Sequence, residues 1–410
     1  MKLYSIKNPS HIVDLKTAVL QSLSPDGGLY MPTEIPKFPP EFFHQNLTFQ
    51  EIAFQVAKKL IGSDVSEDVL KEIVYDSVNF DAPVVHLKEN IYALELFHGP
   101  TLAFKDFGAR FMSRLTRHFE KGQITVLVAT SGDTGSAVAQ GFYKIPNTKV
   151  ILLYPSGKVS HIQEQQLTTL GENIHALEVD GTFDDCQRMV KEAFLDPDLH
   201  LTSANSINIA RLIPQTFYYF YAYFQLKKPL VFSVPSGNFG NLTAGLIAQK
   251  MGLPVEKFIA AVNTNETFPE YLRTGEFKPK PSVKTISNAM DVGNPSNFPR
   301  VLKLNENDIL SASFSDQQTK EAILEIAPYY TLDPHGAVAY LGLKKFLKPN
   351  QTGVLLETAH PAKFADILEP ILNKKIEIPE RLKSCLKKEK KSVKIRPEFE
   401  DLKKFLKTVK

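Results

Sequence analysis

The sequence has no tryptophan and very little cysteine, which limits the metal and redox chemistry that it can support. Only two cysteines, Cys186 and Cys385, occur among 410 residues. They lie far apart and form no CxxC pair, so we expect neither a disulfide framework nor a cysteine zinc site. The histidines form no HExxH motif and no ligand pair beside carboxylates, so no metal is expected. This cysteine usage fits a reducing compartment, and we expect a cytoplasmic protein.

Long hydrophobic runs and a strong charge of one sign are also missing. No segment approaches the roughly 18 apolar residues that cross a bilayer, and residues 1–9 have no apolar core of signal-peptide length. The formal net charge is +3, and most of the excess lies in the lysine-rich C-terminal residues. We therefore expect neither a membrane nor a nucleic acid as a partner. The aromatic run at residues 217–224 is predicted to be a buried helix.

Common nucleotide-binding and hydrolase motifs are absent as well. The sequence contains no GxxxxGK[ST] and no GxGxxG that is followed by an acidic residue at the usual distance. It also lacks the GxSxG motif of a hydrolase nucleophile. A phosphate site in this chain would therefore belong to something other than a typical ATP or NAD site.

The order of predicted elements divides the chain into three parts. Residues 1–80 form an N-terminal domain without evident chemistry. Residues 81–380 alternate strands with helices, which predicts an α/β core of mostly parallel sheets with helices on both faces; within it, residues from about 110 to 200 are expected to form a smaller mobile subdomain. Residues 381–410 are predicted to form a basic C-terminal helix or tail. The clearest strands are predicted at residues 124–129, 150–154, 174–179, 230–234, 258–262 and 353–357.

Three loops that follow predicted strands are rich in glycine and small hydroxyl residues, at 131–136, 156–160 and 236–241. Ligands of such sheets bind outside the carboxyl ends of the strands. A glycine-rich turn that leads into a helix offers backbone N–H groups and a partial positive charge, which favours a phosphate. Each loop alone is better explained by a tight turn, but the three together in one sheet indicate a ligand site. The loop at 236–241 is the best phosphate candidate because the helix after it is apolar and well formed.

Lys105 opens a predicted helix after a break at Gly99 and Pro100, and it lies between Phe104 and Phe107. Burial among apolar groups disfavours the charged ammonium group. A neutral lysine amine is a nucleophile and forms a Schiff base with an aldehyde. Taken by itself, the pattern also fits a surface lysine in the first turn of a helix.

A Schiff-base lysine together with a phosphate site suggests pyridoxal 5'-phosphate as the cofactor. Lys105 would bond the aldehyde, the 236–241 loop would hold the phosphate, and the Thr358 hydroxyl would face the ring nitrogen. A hydroxyl partner leaves that nitrogen neutral, which favours elimination over transamination. The predicted cofactor-binding residues are Lys105, Gly237, Asn238, Phe239, Asn241 and Thr358.

Several stretches of the sequence resemble a known family, and they lie at residues 24–32, 98–106, 129–136, 181–187, 205–211, 236–241 and 332–336. On these stretches the chain resembles the threonine synthases of the longer branch found in many bacteria and fungi. These are pyridoxal-phosphate enzymes of fold type II, the group that includes tryptophan synthase β chains. The resemblance implies a two-domain fold type II core with a small N-terminal domain. Most of that group carries asparagine where this chain has Asp133, so the role of Asp133 stays open.

The resemblance also implies a reaction, the last step of threonine biosynthesis. O-phospho-L-homoserine and water become L-threonine and phosphate, by elimination of the γ-phosphate and addition of water at Cβ. Lys105 would be the catalytic residue, because a displaced lysine also serves as a base. The substrate carries an additional phosphate, and the candidate substrate contacts are Thr101, Ser131, Thr134, Ser136, Lys158, Arg211 and Asn288. A structural ion pair is an equal alternative for Arg211.

Other interpretations of the sequence stay open. Another pyridoxal-phosphate lyase, such as a threonine dehydratase-like enzyme, would share Lys105 and the phosphate loop without needing a second anion site. A non-catalytic binding protein on the same fold would need no cofactor and would be colourless. The loop at 292–297, flanked by Asp291 and Arg300, is expected to close over the site. The oligomeric state is expected to be a monomer or a homodimer.

Overall fold

The computed structural model of the protein describes residues 1–305 and 309–409; Lys410, at the end of the predicted tail, lies outside them. Within these residues the strands are β1 Lys2–Ser5, β2 Ile12–Asp14, β3 Tyr30–Pro32, β4 Val84–Lys88, β5 Ile91–Glu95, β6 Ile124–Ala129, β7 Thr148–Pro155, β8 Ile174–Val179, β9 Leu201–Ser203, β10 Leu230–Pro235, β11 Val255–Val262, β12 Leu310–Ser313, β13 Gly353–Glu357 and β14 Ser392–Ile395. The helices are α1 Leu15–Gln21, α2 Phe49–Ile61, α3 Glu67–Ser77, α4 Lys105–Phe119, α5 Asp133–Phe142, α6 His161–Thr168, α7 Phe183–Leu195, α8 Phe217–Leu226, α9 Gly240–Lys250, α10 Thr267–Thr274, α11 Phe298–Leu304, α12 Asp316–Ile326, α13 Pro334–Phe346, α14 Ala365–Leu372, α15 Glu380–Leu386 and α16 Phe399–Thr408.

The N-terminal residues form a small antiparallel sheet and the helices α1, α2 and α3. The sheet has the order β2-β1-β3. Helix α2 begins with a capping box, in which the Thr48 hydroxyl accepts from the Glu51 N–H and the Glu51 carboxylate accepts from the Thr48 N–H. This exchange satisfies backbone donors that the helix itself leaves free. One face of α2 is buried, so the helix packs inward along its apolar side.

A six-stranded sheet forms the larger part of the core. Its order is β12-β11-β10-β13-β5-β4, and every pair is parallel except β4 with β5. The strands β10, β13 and β5 are neighbours, so the loops that follow them lie side by side. Residues of β13 are buried along the whole strand, as expected for a parallel strand covered on both faces.

A five-stranded parallel sheet forms the smaller part of the core. Its order is β14-β8-β7-β6-β9. Strand β14 comes from the lysine-rich C-terminal segment, for which only a helix or tail was predicted. Helix α16 follows it and packs on α7, with Leu402 fully buried. The predicted α/β class with mostly parallel sheets is confirmed.

The aromatic run of the sequence forms helix α8, and six of its ten residues are buried. Phe220 stacks on Phe43 with ring centroids 6.2 Å apart, which ties this helix to the N-terminal residues. None of the helices in the described part of the chain combines the length and the apolar character needed to cross a membrane.

Helix α5 begins at Asp133, inside the stretch 131–136 that the sequence predicts to be a loop. Gly132 adopts φ 136°, a conformation that favours glycine, and the chain turns there directly into the helix. The Thr130 hydroxyl accepts from the N–H groups of Gly132 and Gly135, at 3.0 and 2.8 Å. Asp133, Thr134 and Ser136 therefore lie in the first turn of a helix and not in a loop.

Candidate active site

The carboxyl ends of the two parallel sheets meet at a cavity of about 990 Å³. Loops after the neighbouring strands β5, β13 and β10 supply one wall, and loops after β6 and β7 supply the other. A crevice outside the carboxyl ends of parallel strands is the usual place for a ligand in such sheets. The predicted site residues that line it are Lys105, Ser131, Thr134, Lys158, Arg211, Gly237, Asn238, Phe239, Asn241, Asn288 and Thr358.

A buried carboxylate holds the turn that carries Lys105. Both oxygens of Asp106 accept hydrogen bonds from Thr101, one from its N–H at 2.8 Å and one from its hydroxyl at 2.7 Å. A side chain at Gly99 would lie 2.5 Å from Asp106 Oδ2, so only glycine leaves room for this carboxylate. The break seen in the sequence is therefore a rigid turn.

Backbone contacts fix Lys105 beside Thr358. The Phe104 N–H donates to the Thr358 carbonyl at 2.9 Å, and Ala103 pairs with Ala359. Lys105 Nζ lies 5.4 Å from the centre of the Phe104 ring. The predicted amine and the predicted hydroxyl thus belong to one hydrogen-bonded unit at the ends of β5 and β13.

The loop between β10 and α9 has the backbone geometry of an anion-binding site. Phe239 adopts φ 57°, and α9 begins at the next residue. The first N–H groups of a helix have no acceptor within it and carry a partial positive charge. A methyl group on Gly237 would lie 2.9 Å from the Ala289 carbonyl oxygen, so the loop packs directly against the segment that contains Asn288.

Asn241 offers a hydrogen-bond donor without a partner. Its Oδ1 accepts from the hydroxyls of Tyr218 at 2.6 Å and Tyr219 at 2.8 Å, which fixes the orientation of the amide. Its Nδ2 is buried and makes no hydrogen bond within the described residues. Buried polar groups are rarely left unpaired, so this donor indicates a ligand acceptor in the cavity.

The electrostatic surroundings favour a neutral Lys105. Burial lowers the pKa of Lys105, the nearby Asp133 carboxylate opposes this shift, and the Lys363 and Arg211 cations reinforce it. Burial would raise the pKa of Asp133, but Lys363 and Lys105 hold that pKa well below its usual range. Asp133 is therefore ionised, and the Lys105 amine is easier to deprotonate than an ordinary lysine.

Arg211 is a buried cation for which the described residues provide no ion-pair partner. Its Nη1 donates to the Ala204 carbonyl at 2.6 Å, and its Nε makes no hydrogen bond among the described residues. Burial lowers its pKa to about 10. The Asp106 carboxylate opposes this shift, and the ion pairs of the described residues do not include Arg211.

Two predicted substrate contacts lie behind the cavity wall. The Thr101 hydroxyl is used by Asp106, and the Ser136 hydroxyl donates to the Gly132 carbonyl at 3.1 Å. Both residues support the wall without lining the cavity. Arg300, which flanks the 292–297 loop, is fully buried in α11 and donates to backbone carbonyls of Tyr30 and Ile207.

Sequence reasoning missed Lys363, Gln163 and His335. Lys363 and Gln163 contact Asp133 Oδ1 at 2.6 and 2.9 Å. His335 lines the cavity and accepts at Nε2 from the Ala289 N–H at 3.2 Å. The sequence contained only weak indications of these residues. Lys363 lies five residues after Thr358, in the segment that follows a predicted strand. His335 lies in the 332–336 stretch, which carries the family resemblance but no recognisable catalytic or metal-binding motif.

The residues at the cavity fit pyridoxal phosphate. Lys105 supplies an amine whose pKa is lowered. The α9 start and the free Nδ2 of Asn241 supply donors for a phosphate. Thr358 lines the same cavity at the end of the middle strand. Together these groups suit a ligand ring that carries an aldehyde and a phosphate.

Three family models match the chain. The model described as "Pyridoxal-phosphate dependent enzyme" matches residues 78–358. The model "Threonine synthase N terminus" matches residues 2–78, and "Threonine synthase, C-terminal" matches residues 336–406. Together they cover nearly the whole chain.

Several similar proteins and structures are described as threonine synthases. A threonine synthase of Buchnera aphidicola is 45% identical over 427 residues and covers 99% of each chain. The crystal structure of threonine synthase from Escherichia coli matches with a TM-score of 0.96 and 43% identity, over 100% of both chains. The structure of pyridoxal-phosphate-bound threonine synthase from Brucella melitensis matches with a TM-score of 0.94 and 31% identity, over 100% of this chain and 99% of that one.

Proposed function

Because the chain belongs to the threonine synthase family of pyridoxal-phosphate-dependent lyases, we propose that it converts O-phospho-L-homoserine and water into L-threonine and phosphate. This is the final step of threonine biosynthesis. The observation that carries the proposal is the shared cavity, where an amine with a lowered pKa, a helix N-terminus with a free amide donor and a guanidinium whose Nε has no partner among the described residues come together. Two separate anion seats suit a substrate and a cofactor that each carry a phosphate.

We assign the residues that hold pyridoxal phosphate from the geometry of the cavity. Lys105 would bond its aldehyde carbon, Asn241 and the loop residues Gly237 to Phe239 would hold its phosphate, and Thr358 would meet its ring nitrogen. When bound, the cofactor supplies an electron sink that acidifies the hydrogens near the substrate amino group.

Lys105 is the proposed base of the reaction. Its Nζ, once released from the cofactor, takes the Cα proton of the substrate and carries later proton transfers. A base with a pKa close to the working pH is the most effective, and burial moves the pKa of Lys105 in that direction. The turn held by Asp106 keeps this amine at the position where it acts.

The substrate anions have their own candidate partners. Arg211 lies in the same cavity as Lys105 and has an unpaired Nε, so it is the proposed ligand of a substrate carboxylate or phosphate. Lys158 and Asn288 line the cavity from other segments and supply a second cation and an amide. Ser131 and Thr134, after β6, complete the set that faces the substrate.

We also propose the domain organisation that the sequence predicts. Residues 1–80 form an N-terminal packing domain, residues 81–380 the catalytic core with a smaller mobile subdomain at about 110–200, and residues 381–410 a basic C-terminal segment. The protein acts on a small molecule as a monomer or homodimer in the cytoplasm, without a nucleic acid partner.

Phosphate release tests the proposed function. Purified protein loaded with pyridoxal phosphate is incubated with O-phospho-L-homoserine, and phosphate and threonine are measured together. We expect equal amounts of both, and a large loss of rate when the cofactor is left out. Ammonia released from threonine, without phosphate release from O-phospho-L-homoserine, would identify a dehydratase-like enzyme and contradict the proposal.

The Lys105→Ala variant tests the role of the amine. It should lose turnover by about 100-fold to 10 000-fold, the range that a positioned proton-transfer group contributes. It should also lose the cofactor attachment that borohydride reduction traps on Lys105 in the wild type. Full activity of this variant would refute the assignment.

A further inference from the structure

A buried ion pair lies next to the amine of the site, and the proposed function leaves it without a role. Lys363 Nζ lies 2.6 Å from Asp133 Oδ1, and the exposed fractions of the two side chains are 0% and 5%. Lys363 also donates to the Thr101 carbonyl at 3.0 Å. Gln163 Nε2 donates to the same carboxylate oxygen at 2.9 Å. Such full burial separates this pair from the surface ion pairs of the chain.

The pair connects the two parallel sheets. Asp133 begins α5, directly after β6 of the five-stranded sheet. Lys363 lies in a short 3-10 helix, Pro361–Phe364, that follows β13 of the six-stranded sheet. Through the Thr101 carbonyl, Lys363 also holds the turn that precedes Lys105. One ammonium group therefore joins both walls of the cavity to the turn of the catalytic amine.

The charges around Lys105 make this connection relevant to the reaction. Asp133 faces Lys105 from α5, Lys363 from the segment after β13, Arg211 from the 205–211 segment and Asp333 from the start of α13. Asp133 stabilises the charged form of Lys105, whereas Lys363 and Arg211 destabilise it. Because Asp133 and Lys363 have opposite charges at close contact, together they leave this part of the wall electrically neutral.

We propose that Lys363 is a positioning residue for this reaction, which orients and neutralises the Asp133 carboxylate and so holds the turn that carries the Lys105 amine in place. Asp133 and Lys363 act as a pair, and either side chain without the other lowers the turnover. A carboxylate without its cation is an uncompensated buried charge, whereas removal of both partners of a buried pair is much better tolerated. The inference rests on the proposed function.

A double-variant cycle tests the pair. The variants are Lys363→Met, Asp133→Asn and the two combined, each measured with pyridoxal phosphate bound. Lys363→Met should lose turnover by about 100-fold, the scale of a small misplacement at a site. The combined variant should recover most of that loss, so the two effects should be far from multiplicative. Lys344→Met is the matched control, because it breaks an exposed pair with Glu325 at the same 2.6 Å and should retain wild-type turnover.

A pH titration of the visible absorption band separates this role from simple support of the fold. Without Lys363, the unopposed Asp133 carboxylate raises the pKa at Lys105, so the pH midpoint should rise by about one unit. Asp133→Asn should move the midpoint downward for the opposite reason. The combined variant should return close to the wild-type midpoint.

The turnover and pH midpoints of these variants decide whether Lys363 has the proposed role. Unchanged turnover and an unchanged midpoint in Lys363→Met overturn the proposal, and so do single-variant losses that simply multiply in the combined variant. If Lys363→Met fails to fold, the combined variant should fold, and failure of both overturns the proposal. Wild-type protein that releases no phosphate contradicts the proposed function instead, while the midpoints and the folding of the variants still report on the pair.

Discussion

At the scale of single residues, Glu357 carries a carboxyl group in a place that disfavours its charge. It is fully buried at the end of β13, directly before Thr358, and pairs in register with Glu95 of β5. Its Oε1 accepts from the Asp333 N–H at 2.5 Å, and its Oε2 has no partner in the described residues. Burial, with Asp333 and Glu95 nearby, raises the pKa of Glu357 well above its usual range. The folded protein therefore disfavours the ionised form of this carboxyl group.

A pH-dependent cost to stability follows from this carboxyl group. The unfolded chain loses the proton near pH 4.5 and the folded chain does so only at higher pH, so the free energy of unfolding falls as the pH rises above about 4.5. Glu357→Gln removes this dependence. Its advantage over the wild type should grow by up to about 1.4 kcal/mol for each pH unit until the folded pKa is reached. Urea unfolding at pH 5.5, 7 and 8.5 measures it, and a difference that is independent of pH would contradict the prediction.

Arg300 is a second buried charge, and backbone oxygens surround it. It donates to the carbonyls of Tyr30, Ser206 and Ile207 and to Asn297 Oδ1. Burial lowers its pKa to about 9. Through this guanidinium the N-terminal residues, the 205–211 segment and the start of α11 share one anchor.

Removal of the Arg300 guanidinium should therefore destabilise the whole protein. Arg300→Met leaves several buried acceptors unpaired, and each such group costs about 1–3 kcal/mol. We expect the free energy of unfolding to fall by at least about 3 kcal/mol. Arg300→Lys keeps the charge with fewer donors and should fall between this variant and the wild type. Equal stability of the three proteins in urea would show that the anchor is dispensable.

At the scale of elements, the loop between β10 and α9 depends on the absence of one side chain. A methyl group on Gly237 would lie 2.9 Å from both the Ala289 oxygen and Met290 Cα. These are backbone atoms, which cannot turn aside as the end of a side chain can. The loop and the Asn288 segment therefore fit together only with glycine at this position.

The Gly237→Ala variant should weaken cofactor binding more than it weakens the fold. Displacement of the loop misaligns the α9 N–H groups, and the loss of one or two charge-assisted hydrogen bonds, each worth about 1.5–3 kcal/mol, raises the dissociation constant at least tenfold. Titration of the apoprotein with pyridoxal phosphate measures it. Gly122→Ala is the control, because its nearest contact is the flexible end of Glu120. Equal affinity of both variants would contradict the prediction.

Several elements were predictable because local sequence and tertiary packing agree. The strands β6, β8 and β13 occupy the predicted residues. Strands β6 and β13 are mostly apolar and buried on both faces, whereas β8 keeps His175 and Glu178 half-buried. The start of α5 was not predictable, because it depends on one unusual glycine conformation. Strand β14 was missed because it has only four residues, lies in a lysine-rich stretch and pairs with a strand far away in the sequence.

The site was predictable to the extent that it follows from sheet topology. Lys105, Thr358 and the Gly237 loop follow three strands that turn out to be neighbours, so sequence position translated directly into proximity. Lys363 lies in the same region after β13, but its partner is Asp133 in the other sheet. Contacts between two sheets are not encoded in local periodicity, and a buried lysine has no distinguishing pattern in a sequence.

At the scale of the whole molecule, the C-terminal segment joins the two halves of the protein. The chain leaves the six-stranded sheet after β13 and then adds β14 and α16 to the five-stranded sheet. Leu402 of α16 is fully buried in a cluster with Cys186 and Met189 of α7. The C-terminal segment, which the sequence predicts to be a basic helix or tail, thus contributes to a hydrophobic core.

Loss of this segment should unfold more than the tail itself. A chain that ends before Ser392 leaves β8 and one face of α7 uncovered, and we expect a lower melting temperature and poor solubility. Leu402→Ala is the milder version and should cost about 2–5 kcal/mol of stability. Leu302→Ala, at a side chain that is 40% exposed, should cost less than about 0.5 kcal/mol. Similar melting temperatures for these two variants would contradict the prediction.

The position of β14 also sets the timing of folding during synthesis. Strand β8 ends at Val179, whereas its outer partner begins at Ser392. At usual rates of translation the ribosome needs roughly 10–40 s to make the intervening chain. During that interval the nascent protein presents β8 as an open edge, to which other chains can pair. Slow translation of the last third of the message should therefore increase aggregation, and chaperones that cover exposed strands should act on this protein before its release.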